Sequence, residues 1–395
     1  MPLRQAGDRT EEALIVFADI IDSSKYSAVL GYEQYAQRLL GFQQTFTDLG
    51  HRYFPRVEDK TVQFCRVDAR GDEGIIFLLC PQGAQQAQKA THILRAIEFL
   101  YHLKARLRFG GDTSGSETAP RRFDVGAGIH WGKVVFILTE EDHHSVIGGI
   151  EGFDINYAKR VESCSREGRH SRILLSTEAA RYIELEPIVL TSFRTAMKGI
   201  SDDVELHEVQ AGLLDHMELR SEDEGDQLLI DQAERLCSNP MGMESSWEKA
   251  LVVSVLERIC KSAPVPADKA KRRRMQYDLA WHSVKEDDPI LLYLRSRDCR
   301  ESGQRTRELR YLRSILRAHP HFVHARLLMV KACWALAQGK AEREEKLFAR
   351  DTAKEFLDHH RSLLNDEQKA DFRRLLDSCT PGRKRTRRKP RPPKA

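Results

Sequence analysis

The stretch FADIIDSS (17–24) places two acids, Asp19 and Asp22, at the end of an apolar run, ALIVF (13–17). A carboxylate closing a buried strand is costly unless it is paired or binds a cation. A second acid, Asp72, meets another apolar run in VDARGDEGIIF (67–77). Two readings are open: unrelated turn acids, or two halves of one metal site. If the two strands are neighbours in a sheet, the carboxylates of Asp19 and Asp72 meet. They would then hold one or two hard cations, such as magnesium or manganese, which choose oxygen ligands and also bind phosphate. Asp22 reads equally well as a capping residue. IIDSS leads through a polar turn into a helix, so backbone N–H groups at Ser23 and Ser24 would cradle phosphates.

Further phosphate chemistry lies downstream. In FDINYAKRVESCSREG (153–168), Asn156 and Arg160 are four residues apart and share one helix face. Arginine forks onto phosphate oxygens, and asparagine fixes a sugar oxygen or hydroxyl. A solvated helix face is the plainer reading of the same pair. Lys198, in MKG before a terminal strand, is either a phosphate contact or a surface turn lysine.

These residues need elements to hold them. ALIVF reads as a strand. Tyr35, Leu39, Phe42, Phe46, Leu49 and Tyr53 recur at helical spacing, which predicts a helix over 32–53. TVQFCRV (61–67) and GIIFLLC (74–80) read as strands of a hairpin with Asp72 near its tip. A second helix is predicted over 84–106, a loop at GGDTSGSETAP (110–120), and strand, turn and strand within FDVGAGIHWGKVVFIL (123–138). Residues 153–168 form a helix with Gly168 as a plausible C-cap. RILLS (172–176) and VELHEV (204–209) are strands. From about 211 the patterns are helical only, over 228–262, 268–284, 288–300, 303–318, 321–338 and 341–375, with a connector at 263–274. The order predicts an α+β domain over 11–210, preceded by an arm at 1–10. A helical domain follows at 211–378, and then a basic tail at 379–395. LRAHPHFVHARLLMVKACWALAQG (316–339) has the shape of a helical-repeat hairpin, without a second clear copy.

The chain has 395 residues, 41% hydrophobic and 31% charged, which suits a soluble globular protein. No apolar run of membrane length is present, and MPLRQAGDRT lacks the apolar segment of a secretory signal. The eight cysteines form no CxxC pair, which favours reduced thiols in the cytoplasm. The net charge of +4 is a tail effect: PGRKRTRRKPRPPKA (381–395) holds eight Lys/Arg and no acid, and without it 55 basic face 59 acidic residues. The mildly acidic body argues against nucleic acid as a partner. The tail alone would touch an anionic polymer, or it simply solubilises the chain.

Six blocks in order, FADI (17–20), RGDEGIIF (70–77), GAGIHWGKVV (126–135), FDINYAKRVES (153–163), ILLS (173–176) and MKGISDDVELHEV (197–209), together resemble the catalytic domain of class III nucleotidyl cyclases. The resemblance covers about half the chain. It implies a ferredoxin-like antiparallel sheet with flanking helices, joined here to an all-α domain. It implies that Asp19, the main chain of Ile20 and Asp72 hold two Mn2+ or Mg2+ ions per site. Asn156 would orient the ribose, Arg160 stabilise the transition state, and Ser23, Ser24 and Lys198 contact phosphates. Sites in that family lie between two catalytic domains, so a homodimer with shared active sites is implied.

The base-reading positions depart from the familiar members. Adenylate cyclases place a Lys four residues before the second metal Asp, and an Asp or Thr seven before the ribose Asn. Guanylate cyclases place a Glu at the first. This chain has Asp68 and Gly149, and Gly126 where an Arg is often found. Tyr53 is a candidate for narrowing the pocket against purines; its other reading is a core aromatic. A single catalytic domain with a helical extension resembles the bacterial pyrimidine cyclases of the Pycsar anti-phage systems, which make cyclic UMP or cyclic CMP for a separate effector protein. The expectation is therefore a uridylate cyclase, with cytidylate, adenylate or guanylate cyclase, or a non-catalytic cyclase-like regulator, as alternatives.

Overall fold

The computed structural model describes residues 6–55, 65–80, 84–109, 124–141, 144–200, 202–212, 219–220, 222–238, 289–337, 343–364 and 366–379. The expected loop at 110–120, the connector at 263–274, the helix at 268–284 and the basic tail lie outside them.

Contacts divide the chain into two units, Met1–Ile290 and Leu291–Ala395. In the first, strand β1 (Ala6–Ile20) leads into helices α1 (Ser23–Leu30) and α2 (Tyr32–Tyr53). The hairpin β2 (Cys65–Arg70) and β3 (Glu73–Cys80) follows, then α3 (Gln86–Phe109) and the long strand β4 (Val125–Glu141). Next come β5 (His144–Glu151), α4 (Phe153–Ser163) and a 3-10 turn (Cys164–Glu167). The unit continues with β6 (Ile173–Ser176), α5 (Thr177–Ile183), β7 (Ile188–Thr195), β8 (Val204–Gly212) and α6 (Glu224–Ser238).

The strands form one sheet in the order β2-β3-β1-β4-β6-β8-β7, with β5 paired to the far end of β4. It is antiparallel except where β4 meets β6. That pair is parallel because α4 carries the chain back across the sheet between them. Alternation along β1 divides the core. Leu14, Val16, Ala18 and Ile20 face α2, α3 and α5, with Phe42, Phe46, Leu49 and Ile97. Ala13, Ile15 and Phe17 face α4, with Phe77 and Val134.

The predicted helix at 32–53 is found with those bounds. The expected turn inside 123–138 is not: β4 runs through it unbroken, in register with β1 from Asp19↔Gly126 outward. The glycines that suggested a turn instead make room for α4. A Cβ on Gly128 would lie 2.3 Å from the Glu162 backbone N, and one on Gly126 2.0 Å from Ser165 Oγ. A Cβ on Gly132 would meet the Asp154 side chain at 2.5 Å. Gly168 does follow the 3-10 turn, but with φ −62° it is not a left-handed cap. A Cβ there would crowd the buried Glu208 carboxylate, which accepts from the N–H groups of Arg169, His170 and Arg172.

The contacts divide the chain after 290 rather than 210, because α6 belongs with α2 and α3. The buried Asp226 of α6 accepts from Arg52 Nη1 at 2.6 Å and Arg106 Nη2 at 2.7 Å. It also bonds His102 Nε2 at 2.6 Å.

The second unit contains α7 (Pro289–Glu301), α8 (Arg305–Ala318), α9 (Val323–Ala337), α10 (Arg343–His360) and α11 (Asp366–Cys379). From α8 onward each helix packs chiefly on its neighbours in sequence, as stacked helical hairpins do. The predicted helix at 341–375 is broken by a 3-10 turn at Arg361–Leu363. The buried Glu308 of α8 is held by Arg300 at 2.6 Å and Arg305 at 2.8 Å.

Candidate active site

The sheet brings Asp19 and Asp72 together. Asp19 is the last residue but one of β1, directly opposite Glu73 of β3. The Ile20 N–H donates to the Asp72 carbonyl at 3.1 Å, so the turn between β2 and β3 is tied to the end of β1. Helix α1 begins three residues after Ile20, which puts Ser23 and Ser24 at this same end of the sheet. Asp22 does not cap α1 with its side chain; it adopts a left-handed conformation (φ 58°) and pairs with Lys25 at 2.9 Å.

The site is rich in negative charge. Burial, then the charges of Glu162 and Asp72, push the Asp19 carboxyl up to about 6, with Glu73 adding to the effect. Glu162, on α4, is almost fully buried, and burial raises its carboxyl as well. The one cation in this group, Lys159, bonds Glu73 and also Glu162, the latter at 2.9 Å. Burial works against the Lys159 ammonium, but these bonds outweigh it and hold it above the usual lysine range. Four carboxylates thus face one ammonium, all with oxygen donors, and the excess charge fits a hard divalent cation. Asp19, the Ile20 main chain and Asp72 would hold it. Among the described residues no group of three or more His, Cys, Asp or Glu side chains is placed to hold a metal ion, so the donor set would be the two aspartates with the main chain.

Arg160 lies on the other flank of α4 from Lys159, and Asn156, three residues before Lys159 and four before Arg160, lies between them. Lys159 reaches toward β3, on one side of β4. Arg160 reaches toward the turn after β7, on the other side: a Cβ on Gly199 would be 3.3 Å from its Nη2. Lys198 is exposed in that turn, and its neighbour Met197 is buried against Val161, Cys164 and Leu206. Asn156 is exposed, one turn before Arg160. Within one chain, then, Asp19 and Asp72 meet at the end of β1, and Arg160 lies across β4 by the turn that holds Lys198.

Asp68 points to the same side of the sheet as Asp19, since it stands opposite Ile75, which stands opposite Phe17. Arg66 and Arg70, its neighbours on that face of β2, each place a guanidinium nitrogen 3.4 Å from Asp68 Oδ2. Gly149 pairs with Ile137, eleven residues along β4 from the partner of Asp19, so one chain does not bring Gly149 to Asp68. Tyr53 is not a pocket residue. It is buried in the core on the opposite face of the sheet, where its hydroxyl is hydrogen-bonded with His102 Nδ1 at 3.1 Å.

Sequence reasoning passed over Glu73, Glu162, Lys159, Arg66 and Arg70. Each had a signal. Glu73 adjoins Asp72, Lys159 and Glu162 are three apart on a helix, and the arginines alternate with Asp68 along a strand.

No protein-family model matches this sequence, and no curated protein does. Several solved structures are similar to part of it. The adenylyl cyclase CyaB from P. aeruginosa has 20% identity and a TM-score of 0.39, over 51% of this chain and 95% of that one. The guanylyl cyclase Cya2 has 19% identity and a TM-score of 0.41, over 52% of this chain and 94% of that one. The guanylate cyclase domain of RhGC from Catenaria anguillulae, in complex with GTP, has 16% identity and a TM-score of 0.38, over 52% and 100%.

Proposed function

We propose that the chain is a metal-dependent nucleotidyl cyclase that acts as a homodimer and prefers UTP. The observation that carries this reading is the meeting of Asp19 and Asp72 at one end of the sheet, in a pocket of surplus negative charge. The 3′-hydroxyl of the substrate attacks its own α-phosphorus, the bond to the β-phosphate breaks, and pyrophosphate leaves with the electron pair. Bound Mn2+ or Mg2+ would supply charge neutralisation on the phosphates and a lowered pKa for the attacking hydroxyl. Asn156 orients the ribose. Arg160 and Lys198 donate to oxygens on which negative charge grows. N–H groups at Ser23 and Ser24 hold phosphate oxygens.

The proposed site residues fall into two groups, Asp19 with Asp72 and Asn156 with Arg160 and Lys198, and two copies arranged head to tail would complete two shared sites from them. The α4 face of the sheet suits such a contact. Phe153 is 66% exposed, and Ile75, Leu79, Ile150 and Ile155 are only partly covered.

The preference for UTP rests on β2. Arg66, Asp68 and Arg70 offer donor, acceptor and donor along one face. The uracil edge is acceptor, donor and acceptor (O4, N3–H, O2), which complements that order; cytosine presents N4–H, N3 and O2 and does not. Two strand spacings, about 10 Å, separate β2 from β1, room for a nucleotide with its base at Asp68 and its phosphates at Asp19. The product, cyclic UMP, would act on a separate effector protein in anti-phage defence, in keeping with the resemblance to the Pycsar cyclases, and the reaction would run in the cytoplasm. No helix among the described residues is long and apolar enough to cross a membrane.

The test incubates the full chain with Mn2+ and each of the four NTPs and identifies products by mass. Cyclic UMP is expected to form fastest. Equal turnover of ATP would overturn the base assignment, and no product from any NTP would overturn the enzyme.

A further inference from the structure

Lys159 has no part in the reaction as described, yet it is bonded into the acidic end of the site. Its ammonium joins Glu73 of the metal hairpin to Glu162 of its own helix, and it sits 5.7 Å over the Phe17 ring. Glu73 stands directly opposite Asp19, so the ammonium lies at the edge of the proposed metal position. The helix cannot easily draw back, because Gly128 brings its backbone into contact with β4.

From this geometry we infer that Lys159 is the resident cation of the site: a divalent ion has to compete with it. The inference rests on the metal site proposed above. A single ammonium neutralises only part of a four-carboxylate group. It holds the site together without metal and raises the concentration of metal needed to load it. Lys159 is a positioning residue as well. Its grip on Glu73 fixes the rotation of α4, and with it the direction of Asn156 and Arg160 on the same helix.

The experiment is Mn2+ binding to the nucleotide-free full chain, followed by electron paramagnetic resonance of free Mn2+, with thermal melting alongside. Lys159→Met should bind Mn2+ about tenfold more tightly than wild type, the effect of removing one near charge from a partly buried site. Its melting temperature should be lower than wild type without metal and should rise more on adding Mn2+. Lys159→Arg, which keeps the charge, should restore wild-type affinity. Should the methionine variant fail to fold, Lys159→Gln gives the same reading. Unchanged or weaker Mn2+ binding in the neutral variants, while Asp72→Asn abolishes binding, would overturn the role of Lys159 and leave the metal site standing. Mn2+ binding that survives Asp72→Asn unchanged would instead overturn the site itself, and the inference with it.

Discussion

Burial and the charges of Glu162 and Asp72 disfavour the charge of Asp19, an arrangement that costs stability unless a cation resolves it. Asp72→Asn should therefore leave the fold intact and lower kcat for cyclic nucleotide formation by about two to three orders of magnitude. Melting temperature and product yield, measured on the same preparation, check both halves. In the proposed mechanism Arg160 acts where charge grows in the transition state, so Arg160→Ala should lower kcat by a similar factor, about a hundredfold or more, with little change in KM. Both acids were legible from the sequence, since a polar residue terminating an apolar strand has few structural uses. Glu73 and Lys159 were not. Their importance comes from a contact between β3 and α4, elements that lie far apart in sequence.

At the scale of elements, the seat of α4 decides the geometry. Gly126, Gly128 and Gly132 lie on one face of β4, the first against the 3-10 turn after α4 and the other two against α4 itself. Read locally, glycines in FDVGAGIHWG suggest a turn; read with the helix in place, they permit close approach. Gly128→Ala should cost about 1–3 kcal/mol through overpacking and displace Asn156 and Arg160. Chemical denaturation would measure the first and single-turnover rates the second.

A second element-scale feature is the attachment of α6. Burial alone would raise the Asp226 carboxyl. The hydrogen bond from His102, the Arg220 N–H and the charge of Arg106 outweigh burial and hold it well below the usual carboxylate range. Burial likewise holds His102 below the usual histidine range, with Asp226 only partly opposing it. Both depressed values make the unfolded chain bind more protons, so stability falls as pH drops. For His102 the loss begins below about pH 6.5, and for Asp226 below about pH 4. Asp226→Asn should cost about 1–3 kcal/mol at pH 7, because it removes the charge of one of the two carboxylates, Asp226 and Asp223, that Arg52 and Arg106 share. It should also flatten the acid limb of a melting profile taken from pH 7 to pH 3.

For the whole molecule, the proposal with the widest consequence is that two copies share each site, one giving Asp19 and Asp72 and the other Asn156 and Arg160. If two copies complete each other, a mixture of inactive variants should regain activity. Asp72→Asn mixed in equal amounts with Asn156→Ala should recover up to about a quarter of wild-type activity, since half the dimers carry one intact site of two. A mixture as inactive as its parts would exclude shared sites.

The sequence by itself determined which residues carry charge at strand ends, where α2 begins and ends, and that a mixed α and β half precedes a helical one. Those features follow from local patterns: apolar periodicity, and acids set against apolar runs. Only the tertiary structure decided that β4 is unbroken, that Tyr53 belongs to the core, that α6 joins the first unit, and that Arg160 turns away from Asp19. Each of these depends on which surface lies against which, and a one-dimensional pattern records the residues on a surface but not the surface that meets them.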